Sequence, residues 1–196
     1  MKKYDHIKKS NQEEIKIRVN YFKWDLAEWM TEDSPMMEVI RKLARKYVFK
    51  KDLIKDTEYK LLKQQGVVLN VSAAHNLVPT VGRNVLARLL AGDVTYSGEI
   101  DYGALGSGDT AFTNASTQLN TEVFRKQAAS QAFDDNIAFI DWFIALGDVG
   151  DQTFEEFGAF IDGTGAADSG QAFSLFITGG WVKSGSMFIS AQYTLN

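Results

Sequence analysis

Glycine is confined to one part of this chain. All 16 glycines of the 196-residue sequence lie at or after Gly66, and none occurs in residues 1–65. Glycine adopts the positive φ angles that tight turns require, because it has no Cβ. The later part of the chain is therefore suited to short strands joined by tight turns, and the first 65 residues are not.

The sign of the net charge changes at the same position in the sequence. Residues 1–65 carry a net charge of +5, and residues 66–196 carry a net charge of −9. Together these shifts predict a domain boundary near Gln65–Gly66, with a basic N-terminal anchoring region (1–65) and an acidic, glycine-rich module (66–196). We expect the module to fold by itself and the N-terminal region to dock it to a larger assembly.

Composition excludes several classes of protein. The chain has no cysteine, which rules out disulfides, thiolate zinc sites and a cysteine nucleophile. The basic start "MKKYDHIKKS" is not followed by the apolar segment of a signal peptide. No run reaches the roughly 18 apolar residues that a membrane-spanning helix needs. We therefore predict no membrane association.

Local patterns predict a mainly β fold. "EIKIRVNYFKW" and the final "SMFISAQYTLN" alternate with the period of a strand. Short apolar runs broken by Gly, Asp, Asn and Ser fill most of residues 66–196, which is typical of a β-sandwich or jelly roll. A short internal helix is predicted over "TVGRNVLARLLAGD", with Thr80 as cap and Leu90 on its buried face. The clearest helix, "DSPMMEVIRKLARKYVFKK", makes the N-terminal region α-rich.

The stretch "ALGSGDTAF" poses the question of phosphate binding. A phosphate-binding loop needs a lysine and a Ser/Thr at the start of a helix, and this stretch has neither the lysine nor that order. Asp109 would also repel a phosphate. We predict instead a tight turn at Gly106 and Gly108.

Catalytic patterns are incomplete. His75 lies near Ser72, but the flanking sequence lacks a nucleophile elbow, and His6 and His75 are too far apart in sequence to indicate a zinc site. The carboxylates around "FEEFGAF" match a glycosidase only in residue type, and are interpreted as the solvated side of a buried strand. The pairs Asp148/Asp151 and Asp162/Asp168 lack the ligand spacing of a calcium loop. No metal or cofactor is predicted.

The basic helix is interpreted as a solvated face, with docking onto an acidic protein surface as the alternative. Nucleic acid is not the expected partner, because no aromatic–basic pattern of a nucleic-acid module is present.

Several motifs occur together in a familiar order. These are "NLVPTVGRNVLARLLAGD", "EIDYGALGSGDTA", "TQLNTEVFRK", "FEEFGAFIDG" and "GWVKSGSMFISAQYTL". In this order they resemble the β-rich modules of tail-fibre-like, collar and head-decoration proteins of tailed bacteriophages. The resemblance covers residues 76–196 and does not extend to residues 1–65.

The resemblance implies a non-enzymatic structural protein of the virion, with other virion proteins as partners. A capsid decoration protein is the alternative within that class. A carbohydrate-binding or glycan-degrading β-sandwich is the alternative outside it, and an exposed groove lined by Trp142 or Trp181 would favour it. The candidate structural and interface residues are Glu122, Arg125, Asp141, Trp142, Phe154, Glu156, Phe157 and Phe160.

A homo-oligomer is expected from "IAFIDWFIAL". As a strand this segment has two apolar faces, interrupted only by Asp141. One face would pack inside the module, and the other needs the N-terminal segment, the helix around Leu86 or a second subunit as cover. Asp141 would need a buried partner, for which Arg125 and Lys183 are the candidates within the module.

Overall fold

A computed structural model describes residues 16–47, 50–73 and 76–196 of the chain. Within these ranges there are nine strands and four helices, and the predicted mainly β fold is confirmed. The strands are β1 (Ile17–Asp25), β2 (Val68–Ala73), β3 (Ile100–Gly106), β4 (Glu122–Gln127), β5 (Ser130–Asp134), β6 (Ile137–Ile144), β7 (Gln152–Ile161), β8 (Gln171–Lys183) and β9 (Met187–Leu195). The helices are α1 (Pro35–Lys46), α2 (Lys50–Leu53), α3 (Thr57–Gln64) and α4 (Thr80–Leu90).

The strands form two antiparallel sheets. A five-stranded sheet has the order β2-β1-β9-β6-β5, and a four-stranded sheet has the order β4-β3-β7-β8. Aromatic side chains of the two sheets meet between them: the ring of Tyr21 stacks on that of Phe176 with centroids 4.5 Å apart, and Trp142 lies edge-on to Phe157 at 5.3 Å. The main hydrophobic core therefore lies between the sheets.

Strand β1 crosses the boundary predicted from composition. It pairs with β2 on one side and with β9 on the other, and its register with β9 runs from Ile17–Leu195 to Asp25–Met187. The basic N-terminal region thus supplies an inner strand of the sheet to which the end of the chain belongs. The change in composition at Gln65–Gly66 does not separate two independent sheets.

The outer face of the five-stranded sheet is covered by helices of the same chain. Phe143 of β6 and Phe188 of β9 share a buried cluster with Met37, Ile40 and Leu43 of α1. The apolar second face of β6 therefore has the N-terminal segment as its cover. The strand pattern no longer calls for a second subunit, and the predicted homo-oligomer needs a different argument.

Helix α4 packs on β8 through a close backbone approach. A Cβ added at Gly82 would lie 2.9 Å from the carbonyl oxygen of Ala172, so only glycine fits there. Pro79 occupies the N-cap position and Thr80 is the first helical residue, which corrects the predicted cap. The predicted burial of Leu90 is wrong, because its side chain is 87% exposed.

No helix in the described ranges is both long enough and apolar enough to cross a membrane.

Removing residues 1–65 should prevent folding rather than release a stable module. Without β1, the side chains of Tyr21 and Trp24, both fully buried, are missing from the two cores, and β9 loses its neighbour. We expect residues 66–196 to show no cooperative thermal unfolding by circular dichroism. A chain that starts at Lys16 keeps every described strand and is the control. Cooperative unfolding of the 66–196 fragment would contradict this prediction.

Candidate functional site

The glycine turn after β3 binds an anion, and that anion belongs to the chain itself. The carboxylate of Glu156, in β7, accepts hydrogen bonds from the backbone N–H groups of Gly108 (3.1 Å), Asn120 (2.8 Å) and Thr121 (2.7 Å). The side-chain amide of Asn120 donates a further bond of 3.0 Å. Backbone amides that converge in this way form a concave anion site, as in phosphate-binding loops. Here the site is filled by Glu156.

The glycines are required by the closeness of that carboxylate. A Cβ added at Gly106 would lie 2.3 Å from Oε1 of Glu156, and one added at Gly108 would lie 2.5 Å from Cβ of Asn120. Neither glycine has a positive φ, so the reason predicted for them is wrong, and close packing replaces it. Glu156 itself is fully buried, which also corrects its interpretation as part of a solvated face.

Replacing Glu156 by Gln should destabilise the protein strongly. The carboxamide would turn an N–H₂ group towards backbone N–H donors, leaving donors unsatisfied in the interior, at a cost of about 2 kcal/mol or more. Chemical denaturation of the two proteins measures the difference.

The matched control is Glu155→Gln, since Glu155 is the adjacent residue and only partly buried. We expect the control to lie within about 0.5 kcal/mol of the wild type. Equal stability of the Glu156→Gln and wild-type proteins would show that the amide turn does not depend on the carboxylate.

Glu122 and Arg125 form a second buried ionic contact. Nε and Nη2 of Arg125 donate to the two carboxylate oxygens of Glu122 at 2.7 and 2.8 Å, and both side chains are 4% exposed. Residues three apart pair readily on a helix, but these lie on β4. The register shift between Leu105 and Gly106 leaves an extra residue in β4 next to Glu122, and such a bulge changes the alternation of the strand. The bulge thus explains how the two side chains reach the same side.

Arg125 also holds the connection between β7 and β8. Its Nη1 donates to the carbonyl oxygens of Thr164 (3.1 Å) and Ser169 (3.0 Å), and its guanidinium lies 5.0 Å from the ring centroid of Phe160. The backbone N–H of Asp168 donates to Glu122 at 3.3 Å. The ion pair therefore fixes a loop that lies far from it in sequence.

Replacing Arg125 by Met should cost about 3–5 kcal/mol, because Glu122 would remain buried without its partner. Denaturant unfolding measures the loss. The double variant Glu122→Gln/Arg125→Met should recover part of it, since no buried charge remains. Lys126→Met is the control on the same strand, where the side chain is 35% exposed. An Arg125→Met protein as stable as that control would show that the pair contributes nothing.

Asp141 is held between the sheet and helix α1. Its carboxylate accepts hydrogen bonds from the hydroxyls of Ser130 and Ser190, each 2.6 Å long. Nitrogens of Arg41 and Arg45, both on α1, lie 3.9 and 3.7 Å from it, beyond hydrogen-bond distance. Burial raises the pKa of Asp141, and the serine hydrogen bonds and the two arginines offset this only in part.

The partners proposed for Asp141 are therefore wrong. Arg125 is bound to Glu122 in the other sheet, and Lys183 donates to the carbonyl oxygens of Leu146 (3.2 Å) and Val149 (2.8 Å). The hydrogen-bond partners of Asp141 are Ser130 and Ser190 on the neighbouring strands. Its charged partners, Arg41 and Arg45, come from the basic helix on the other side of the predicted domain boundary.

The aromatic candidates are interior residues. Trp142, Phe154 and Phe157 belong to the core between the sheets, and Phe160 belongs to a smaller cluster with Leu119. Each of the four is at most 1% exposed. Trp142 and Trp181 are both 1% exposed, so neither lines a sugar-binding groove. These side chains have a structural role, and they are inaccessible to a partner.

A buried cluster of three hydroxyl groups was not predicted from the sequence. The hydroxyls of Tyr21, Ser174 and Tyr193 form a closed triangle, with Tyr21–Tyr193 at 2.9 Å and Ser174–Tyr193 at 2.8 Å. Burial raises the pKa of Tyr21 to about 12. Tyr21 and Ser174 are separated by 153 residues in sequence, so no local pattern indicates the contact.

The described residues contain no group of three or more Asp, Glu or His side chains arranged for a metal ion. Asp148 is paired with Lys126 at 2.7 Å, and Asp162 accepts from the backbone of Ser97 at 3.0 Å. His6 and His75 lie outside the described residues.

Comparison with protein-family models, curated proteins and solved structures finds no match to this chain. The resemblance to tailed-phage virion proteins stays a prediction from the motifs.

Proposed function

We propose that this chain is a non-enzymatic structural subunit of a tailed-bacteriophage virion, attached to a larger part of the particle through its N-terminal region. The observation that carries the proposal is the convergence of motif segments on Glu156 and Arg125. The turn of "ALGSG" provides Gly108, the segment "TQLNTEVFRK" provides Asn120 and Thr121, and "FEEFGAF" provides Glu156 itself.

Two of these segments, "TQLNTEVFRK" and "FEEFGAF", meet a second time around Arg125. Leu119 packs in one cluster with Phe160, and the guanidinium of Arg125 lies over the Phe160 ring. Motifs that are individually weak are thus parts of one physical unit. This shared contact explains why the motifs would occur together in one chain. It therefore supports the resemblance to tailed-phage virion proteins.

The chemistry of the unit favours architecture over catalysis. A carboxylate has about four lone-pair positions, and Glu156 already accepts four hydrogen bonds from within the chain. Glu122 accepts from both ends of the Arg125 fork. Buried groups with their hydrogen-bonding positions occupied are poorly placed to exchange protons with a substrate.

The two facing sheets support the finer proposal that the fold is a β-sandwich. The helices α1 to α3 would then form the α-rich part of the N-terminal region that attaches the subunit. Exposed lysines are frequent in this region, and Lys55 is one that makes no ion pair within the described residues. An acidic surface on another virion protein is the complementary partner.

Immunogold electron microscopy of phage particles from the source of this chain tests the proposal. We expect antibodies raised against the purified protein to label one defined part of each particle. Label at the tail, collar or fibres supports the main proposal, and label spread over the head supports a capsid decoration protein. Antibody pre-absorbed with the purified protein is the control. Particles that contain no labelled subunit would refute a virion role.

A further inference from the structure

The hairpin between β5 and β6 carries an exposed aromatic knob. Phe133, near the end of the edge strand β5, is 85% exposed. It is followed by Asp134 and Asp135, which are also exposed, and Asp135 makes the turn with a φ of 49°. The hairpin therefore presents an apolar side chain and negative charge together at one edge of the sheet.

A groove of complementary character lies at the opposite edge of the same sheet. Between the helices α2 and α3 and strand β2 there is a cavity of about 510 Å³, lined by Ile54, Tyr59, Lys60, Lys63, Val68 and Leu69. Its apolar rim is open, since Ile54 is 49% and Val68 38% exposed. Lys60 and Lys63 are exposed beside it.

The charges at the two edges are unpaired and opposite. Within the described part of the chain, neither Lys60 nor Lys63 makes an ion pair, and neither does Asp134 or Asp135. Two lysines thus border the groove, and two aspartates follow the knob, with no ion pair to any described residue. Like charges would repel in a groove-to-groove or knob-to-knob contact, whereas a groove-to-knob contact brings opposite charges together.

We propose that copies of this chain associate head to tail, with Phe133 of one copy inserted in the groove beside β2 of the next. Asp134 and Asp135 would then face Lys60 and Lys63. Because β2 and β5 are the two outer strands of one five-stranded sheet, the contact joins opposite edges of successive copies. A contact between two different surfaces repeats, and it generates a ring or a filament.

The contact is made by side chains rather than by extending the sheet. The backbone N–H of Leu69, in β2, already donates to the hydroxyl of Tyr59 at 3.1 Å. Helix α3 thus occupies part of the edge that an added strand would need. An aromatic side chain entering an apolar groove needs no free backbone group.

This association deepens the proposed structural role by naming how one subunit contacts the next, and it rests on that role only for its use in a particle. The association itself can be measured on the purified full chain. A monomeric protein would refute the association while leaving the location of the subunit in a particle untouched.

Sedimentation velocity over micromolar to millimolar concentrations tests the proposal. We expect the wild-type chain to associate as concentration rises. Phe133→Ser and the double variant Lys60→Glu/Lys63→Glu should each weaken association by about tenfold or more. Leu90→Ser is the matched control, because Leu90 is equally exposed but lies on α4, and it should associate as the wild type does.

Mixing the two defective proteins distinguishes head-to-tail association from a symmetric contact. Phe133→Ser keeps an intact groove and Lys60→Glu/Lys63→Glu keeps an intact knob, so their mixture should form dimers and nothing larger. Reversing the charge at Lys60, Lys63 and Asp134 and removing it at Asp135 in one chain (Lys60→Glu, Lys63→Glu, Asp134→Lys and Asp135→Asn) should restore association. A monomeric wild type, a Phe133→Ser protein that associates normally, or a mixture that stays monomeric would each overturn the proposal.

Discussion

Strand β1 contributes side chains to both hydrophobic cores. Val19 and Tyr21 point into the core between the sheets, and Phe22 and Trp24 point into the cluster beneath the helices. Full burial of such side chains contributes about 1.5–3 kcal/mol each. The hydrogen bonds to β2 and β9 keep these two sets of side chains in register. Strand β1 therefore connects the core between the sheets with the cluster beneath the helices.

Glycine-rich turns bind anions because of the geometry of their backbone N–H groups, whether or not the anion is part of a nucleotide. Closely approaching backbone N–H groups create a positive concavity, and any nearby carboxylate lowers the energy of that arrangement. In this chain the pairing of Gly106 with Glu156 across β3 and β7 sets the carboxylate beside the turn. The absence of a lysine from "ALGSGDTAF" argues against a phosphate loop. The turn nevertheless binds an anion, which the sequence pattern alone does not reveal.

The periodicity of apolar residues along the sequence predicted those strands and helices that depend on residues near one another in the chain. The strands β1 and β9 and the helices α1 and α4 all appear where the pattern indicated, and β6 is a strand with two apolar faces. Contacts between distant residues were not predicted. Asp141 pairs with Arg41 and Arg45 across a boundary that composition seemed to draw. The pairing of Glu122 with Arg125, three residues apart, was expected, but it forms on the edge strand β4 through a bulge rather than on a helical turn. Glycine content follows the tight turns and close backbone contacts of the chain, and it says little about where a domain ends.

Several positive charges of the N-terminal region are used within the molecule. Arg41 and Arg45 face inwards to Asp141, while Lys42 and Lys46 pair with Glu58 and Asp56. The contact of Arg41 and Arg45 with Asp141 affects how stability depends on pH. The pKa of Asp141 in the folded protein is raised above its ordinary value of 3.8. The folded protein therefore binds this proton more tightly than the unfolded chain does, and ionisation of Asp141 costs stability as pH rises from 3.8 through the raised pKa. The two arginines reduce this cost at neutral pH, and helix α1 is thereby tied to the sheet by the charge that the sheet buries. Within the described residues, Lys55, Lys60 and Lys63 are exposed and make no ion pair, and they remain available to another molecule.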